Sequence, residues 1–167
     1  MRNLAEAHEA EQALVGFRDN PAEWEALGPK NFGGRTLCLA FHPTNPDILF
    51  AGSASGGLWK SNTAGEGAEA WARVPLGHPV LGVSSIAINP DNPDEMYIGT
   101  GEVYNYEIAK PGVSNRLTRG SYGMGILKTT DGGATWTKSL DWSYEEMRGV
   151  WDVLINPLNT STVWATT

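Results

Sequence analysis

The chain has 167 residues, of which 41% are hydrophobic and 19% charged, and its formal net charge at pH 7 is −7. This length suits one domain of ordinary size, and the acidic charge argues against nucleic-acid binding, which needs a basic surface. One cysteine excludes an internal disulfide, and no apolar run reaches the roughly 18 residues of a membrane-spanning helix.

The first residues favour a helix. Residues 3–18 are mostly good helix formers, with Asn3 placed as the N-cap, Glu6 three positions later as in a capping box, and Pro21 beyond the end. We expect residues 1–21 to form a helix packed on the domain or a tail, with a partner-binding helix as the alternative. This start lacks the apolar core of a signal peptide, so a genuine N-terminus predicts a cytoplasmic protein.

Three later segments repeat one pattern. Each alternates apolar and polar residues, turns at a cluster of Pro, Asn and Asp, and resumes as a second β-rich run, as hairpins do. His42, Asn89 and Asn156 stand at equivalent positions, 47 and 67 residues apart. The first offset is close to the roughly 40 to 50 residues of a propeller blade, and the second indicates an insertion.

The first two repeats each offer two further strands, which gives the four strands of a propeller blade. The sequence therefore predicts an all-β fold, a partial β-propeller of about two and a half four-stranded antiparallel blades with a short N-terminal helix. Within residues 22–167, the expected blades are blade 1 at about 35–76, blade 2 at about 82–141 with an insertion at 102–123, and an incomplete blade 3 at about 149–167. Because a ring typically has roughly four to eight blades, we interpret the chain as an N-terminal fragment whose partners include the remaining blades.

A turn motif at residues 129–136 indicates the same fold. Gly132 and Gly133 accept positive φ, Asp131 can accept hydrogen bonds from the N–H groups of its own turn, and Trp136 anchors a return strand that begins at Thr135. The motif resembles the Asp-box (BNR) repeat of β-propellers, which include sialidases, xyloglucanase-type glycoside hydrolases and sortilin-type receptors. The resemblance implies a structural role for four residues of the box, because the box lies away from the ligand site in that family. These residues are Thr129, Asp131, Gly133 and Trp136.

The insertion in blade 2 holds the candidate site, because loops on a rigid scaffold are where binding groups concentrate. Glu102 is the candidate catalytic carboxylate, and its alternative is an ion pair with Arg116 or Arg119. Tyrosines can stack on a sugar ring, and arginines can form paired hydrogen bonds with an acidic group. The candidate binding residues are Tyr104, Tyr106, Arg116, Arg119 and Tyr122.

The sequence does not match the catalytic patterns of two hydrolase families. The sialidase Arg-Ile-Pro element is missing, and Arg35 is a loose substitute. The xyloglucanase-like family has a catalytic Asp two positions before a Gly-Gly pair, and Ala54 takes that place here. We therefore expect a non-catalytic binding or scaffold module. The alternatives are a glycoside hydrolase fragment acting on carbohydrate and a sortilin-like receptor for peptides.

No cofactor or metal is expected, because His8, His42 and His78 are isolated and Cys38 lacks a partner at ligand spacing. The expected partners are carbohydrate or peptide, without nucleic acid or a membrane span. The family resemblance implies an exported parent protein, periplasmic or extracellular. That implication stands against the cytoplasmic location that the N-terminus predicts.

Overall fold

A computed structural model describes residues 34–103, 121–143 and 148–167, and these residues form ten β-strands and no helix. The helix predicted at residues 3–18 lies outside this range. No helix that could cross a membrane occurs in the part of the chain that the structure describes. The strands are β1 (Thr36–Phe41), β2 (Leu49–Ser53), β3 (Leu58–Ser61), β4 (Trp71–Arg73), β5 (Val83–Ile88), β6 (Met96–Thr100), β7 (Gly125–Thr129), β8 (Thr137–Asp141), β9 (Asp152–Ile155) and β10 (Val163–Thr166).

The strands form three antiparallel sheets, ordered β1-β2-β3-β4, β5-β6-β7-β8 and β10-β9. The first strands of the sheets are neighbours, since β5 contacts both β1 and β9. Four-stranded sheets stacked with their first strands side by side are the arrangement around a propeller axis. The predicted partial β-propeller is thus confirmed.

Apolar side chains from facing strands fill the space between the sheets. Phe50 and Leu58 of the first sheet pack with Ile98 and Leu127 of the second in one core cluster. A second cluster joins β5, β6 and β7 to the third sheet. All five residues of β6 are buried, because this strand has a neighbouring sheet on each face. Strand β6 is therefore the rigid element from which the candidate site begins.

The Asp131 hairpin is held by hydrogen bonds within itself. The Asp131 carboxylate accepts from the Thr135 backbone N at 2.9 Å and from the hydroxyls of Thr135 and Thr129. Trp136 donates its indole N–H to the Gly133 carbonyl at 3.0 Å. The prediction that the return strand begins at Thr135 is wrong by two residues, because these bonds hold Thr135 and Trp136 to the turn, and β8 begins at Thr137.

These bonds give the hairpin a pH dependence. Hydrogen bonds from the Thr135 hydroxyl, the Thr135 backbone N and the Thr129 hydroxyl lower the pKa of Asp131 from 3.8 to about 2. Since the folded-state pKa is lowered, the stability that Asp131 contributes is full above its ordinary pKa and is lost as the pH falls through about 2.

We therefore expect Asp131→Asn to lower the free energy of unfolding at neutral pH, and expect the gap from the wild type to close as the pH drops below the ordinary pKa of 3.8. Urea titrations across acidic and neutral pH measure this gap. Asp91→Asn, in the exposed turn between β5 and β6, is the control. A gap that stays constant down to pH 2 would contradict the assignment.

The outer face of the first sheet exposes large apolar side chains. Leu39 and Phe41 of β1 are both more than half exposed. One repeat later, at the offset of 47, stand Ile86 and Ile88, which pack against the preceding sheet. The exposed pair therefore occupies positions that the repeat uses to contact a preceding blade.

The outer face of the third sheet is equally apolar. Leu154 of β9 and Trp164 of β10 are more than half exposed. At the offset of 67, their equivalents are Ala87 and Tyr97, which are buried against the third sheet. This face therefore has the side chains with which a blade contacts the next one.

Candidate functional site

A cleft of about 170 Å³ lies at the ends of the inner strands. It is lined in part by Leu37, Ser84 and Trp151, which are separated by the repeat offsets of 47 and 67. One position of the repeat thus faces the cleft in each of three consecutive sheets. Because the first strands lie side by side, their equivalent residues converge on one place near the propeller axis.

Glu102 lies in the floor of this cleft. Gly101 connects it to β6 and has a φ of 90°, a conformation that favours glycine because glycine has no Cβ. The backbone N of Glu102 donates to the Ser121 carbonyl at 2.7 Å. The residue is only 6% exposed. Both oxygens of its carboxylate accept hydrogen bonds from the guanidinium of Arg35, which directly precedes β1. This bidentate pair links the first sheet to the second and neutralises a buried charge.

Glu102 pairs with an arginine that the sequence did not indicate. The ion pair with Arg116 or Arg119, the expected alternative to a catalytic role, stays a prediction, because these two residues lie outside the described range. Among the described residues the pair is made by Arg35, from 67 positions earlier in the chain. The repeat explains the geometry, because Arg35 stands just before the first strand of its blade and that strand packs beside β5.

Ala54 lies beside the same arginine. Its backbone N donates to the Arg35 carbonyl at 2.9 Å. The position at which the xyloglucanase-like pattern has a catalytic Asp is thus next to the cleft but has no carboxylate. Glu102, one blade later, supplies a carboxylate to Arg35 instead. A carboxylate that accepts two guanidinium hydrogen bonds is suited to fixing the arginine in place rather than to donating a proton.

Trp151 provides the apolar wall of the cleft. It directly precedes β9, is 50% exposed, and donates its backbone N–H to the Thr166 carbonyl at 2.8 Å. The neighbouring Val150 is fixed to the second sheet, since its N–H donates to the Thr100 carbonyl of β6 at 3.0 Å and its carbonyl accepts from the Ser84 hydroxyl of β5. A half-exposed indole beside a charged pair can stack on a sugar ring and hydrogen-bond its hydroxyls.

The other predicted site residues fall in three places. Tyr122 is exposed in a neighbouring cleft. Tyr104, Tyr106, Arg116 and Arg119 lie outside the described residues. The four residues predicted to form an Asp-box lie far from Glu102, because β6 and β7 are antiparallel and these residues lie at and beyond the end of β7. Within the described ranges, no group of three or more His, Cys, Asp or Glu residues could hold a metal ion.

Sequence reasoning missed Trp151, Ser84 and the role of Arg35 as the partner of Glu102. The signal for the first two was present, since aligning the repeats at offsets of 47 and 67 places Leu37, Ser84 and Trp151 at one position. The pairing of Arg35 with Glu102 had no local signal. It depends on how two sheets stack.

The stacked sheets and the cleft at the ends of their inner strands define a β-propeller segment similar to glycoside hydrolases. Two sequences of xyloglucanase Xgh74A from Acetivibrio thermocellus are 27% identical to it over 127 residues, which is 72% of this chain and 13% of theirs. The crystal structure of an ancestral GH74 enzyme matches with a TM-score of 0.58 and 25% identity, over 78% of this chain and 16% of that chain. The chain thus spans a small part of the length of these relatives. No protein-family model matches it.

Proposed function

We propose that this chain is part of a glycoside hydrolase-type propeller and that its inner cleft binds carbohydrate. The observation that carries the proposal is that Glu102 and Trp151, from consecutive sheets, line one cleft near the propeller axis, and that Glu102 is paired there with Arg35 of the first sheet. An aromatic face with a few fixed polar groups is the usual chemistry of a small-molecule site. Sugars present both an apolar ring face and hydroxyl groups, and so match it.

The substrate class comes from the relatives. Both curated relatives are named xyloglucanases, so xyloglucan and related β-glucans are the proposed ligands. A ring of the glucan stacks on Trp151, and its hydroxyls meet the charged pair of Arg35 and Glu102. The relatives give no support to the peptide-receptor alternative. Export of the protein remains a prediction from the Asp-box resemblance.

The described residues bind rather than cleave in this proposal. Glycoside cleavage usually needs two carboxylates flanking the bond, one acting as an acid and one as a base or nucleophile. Glu102 is committed to Arg35, and Ala54 offers no carboxylate. Hydrolysis by the whole protein is the second candidate function, favoured by the xyloglucanase relatives, with catalytic carboxylates outside the described residues.

Trp151→Ala tests the binding role. We expect it to weaken the binding of xyloglucan oligosaccharides about tenfold, or about 1.4 kcal/mol, because the stacking surface is removed. Calorimetric titration measures the affinity. Trp151→Phe keeps an aromatic face and should retain most of it, and Leu158→Ala, at a fully solvated turn, is the control. Unchanged affinity in Trp151→Ala would overturn the proposal.

The same titrations separate binding from catalysis when they are combined with turnover assays. In the binding role, Glu102→Gln raises Kd and KM together, and the exposed Glu69→Gln changes neither. A Glu102→Gln protein that folds and binds normally but has lost kcat would make Glu102 a catalytic carboxylate. The assignment of Glu102 to ligand binding would then be wrong.

A further inference from the structure

A buried serine of β5 holds the first residues of β9. The hydroxyl of Ser85 donates to the Asp152 carboxylate at 2.8 Å and accepts from the Val153 N–H at 2.9 Å. Ser85 is only 5% exposed, while Asp152 is exposed to solvent. A hydrogen bond to a charged acceptor is stronger than one between neutral groups. This one hydroxyl therefore ties the second sheet to the third.

The neighbouring serine holds the residue on the other side of Trp151. The register of β5 shifts between Val83 and Ser85, as in a β-bulge, so Ser84 is an extra residue in this strand. Bulges re-aim side chains and are common beside functional sites. The Ser84 hydroxyl donates to the Val150 carbonyl, directly before Trp151, and the bonds of Ser85 begin directly after it. The backbone is thus fixed to β5 on both sides of the tryptophan.

The equivalent contact between the first and second sheets is weaker. Cys38 stands 47 residues before Ser85, and its thiol, a weak donor, lies 3.6 Å from the Val83 carbonyl. The cleft-lining residue next to this contact is the small Ser84, whereas at the second junction it is the half-exposed Trp151. The stronger hydroxyl bonds therefore occur at the junction that presents the aromatic wall of the cleft.

We propose that Ser85 is a positioning residue for Trp151, with Asp152 as its partner. Their bond fixes the start of β9 and thereby sets the angle at which the indole meets a sugar ring. Ser85 does not itself line the cleft, so it acts through the tryptophan and not by touching the ligand. A binding group that is already held in place loses less freedom when the ligand binds. This inference rests on the proposed carbohydrate-binding function and adds to it the residues that orient the stacking surface.

Affinities provide the first test. Ser85→Ala is expected to weaken the binding of xyloglucan heptasaccharide by roughly three- to fivefold, the equivalent of one lost hydrogen bond. In a Trp151→Ala background the same change should alter the affinity by less than about 1.5-fold, because the side chain that is positioned is gone. Asp152→Ala, at an exposed position, should give the same pattern. Asp152→Asn keeps an acceptor for the Ser85 hydroxyl and should bind within about twofold of the wild type. Calorimetric titration of the whole protein measures all four.

A signal from the tryptophan itself separates positioning from a general loss of stability. In protein labelled with fluorotryptophan, the fluorine resonance of Trp151 is assigned by its loss in Trp151→Phe, and it should move in Ser85→Ala and in Asp152→Ala. Ser61→Ala is the matched control, because it also removes a buried hydroxyl, one that accepts from the Gly65 N–H at 2.9 Å in a turn of the first sheet. It should lower the free energy of unfolding and leave both the Trp151 resonance and the affinity unchanged.

The outcomes separate this inference from the function on which it rests. If the wild type binds the heptasaccharide, three results would each overturn only the positioning role. These are unchanged affinity in Ser85→Ala and Asp152→Ala, an equal loss with and without the Trp151 indole, and a Trp151 resonance that does not move. Equal effects of Ser61→Ala and Ser85→Ala on both readouts would also overturn it, because the cause would then be general destabilisation. Failure of the wild type to bind the heptasaccharide would overturn both proposals.

Discussion

Replacing Arg35 with methionine is expected to destabilise the protein by about 3 kcal/mol, because it removes two guanidinium donors from a buried carboxylate. The side chain of Glu102 is only 5% exposed, so water cannot easily replace them. The Arg35 side chain itself is 52% exposed, so its own loss of solvation on folding is modest and the cost comes mainly from Glu102. Urea unfolding of the wild type and the variant measures the difference.

Two controls identify the cause of this loss. The double variant Arg35→Met with Glu102→Gln should recover at least half of it, since a neutral amide costs less to bury than an unpaired charge. Arg73→Met, at an exposed position in β4, should change stability by less than about 0.5 kcal/mol. If the double variant is no more stable than Arg35→Met, the ion pair is not what links the first two sheets.

Gly125→Ala is expected to cost more than about 4 kcal/mol or to prevent folding. Gly125 has a φ of 104°, and a Cβ there would lie 1.9 Å from the carbonyl oxygen of Leu140 on the paired strand β8. Backbone atoms cannot move away as a flexible side chain could, so β7 and β8 would have to separate. Urea unfolding and near-UV circular dichroism measure the effect.

Gly67→Ala is a matched control for this variant. Gly67 has a similar φ of 94°, but nothing lies within 4 Å of its added Cβ. It should therefore show only the strain of a positive φ, about 1 to 2 kcal/mol. Equal losses at the two glycines would show that steric contact with Leu140 is not the cause.

The sheets could be predicted because their information is local and repeated. Hairpins of equal design are indicated by the apolar alternation of β5 and by the similar turns at His42 and Asn89, which are 47 residues apart. The positive φ of Gly132 and Gly133 likewise follows from residue type. The start of β8 was misplaced because propensity alone does not show that the Thr135 N–H is bonded to Asp131 instead of to a neighbouring strand.

The candidate site could be predicted only in part. Glu102 stood out as a carboxylate at a strand end, and Tyr122 as an aromatic residue in a long connection. The pairing of Glu102 with Arg35 spans 67 residues and joins two sheets, so it depends on stacking geometry that no single segment encodes. Trp151 was missed because a tryptophan before a strand is an ordinary core residue until the repeat alignment shows that its equivalents, Leu37 and Ser84, line a cleft.

The exposed pairs Leu39 with Phe41 and Leu154 with Trp164 also have a practical consequence. Leu39 and Phe41 lie at the positions that contact a preceding sheet, and Leu154 and Trp164 lie at those that contact a following sheet. Two such unlike ends fit each other head to tail, a contact that propagates rather than closes unless the rotation happens to complete a circle. A propeller segment that ends at these two faces is therefore expected to polymerise in solution. Charged substitutions at the exposed apolar pairs are expected to keep it soluble.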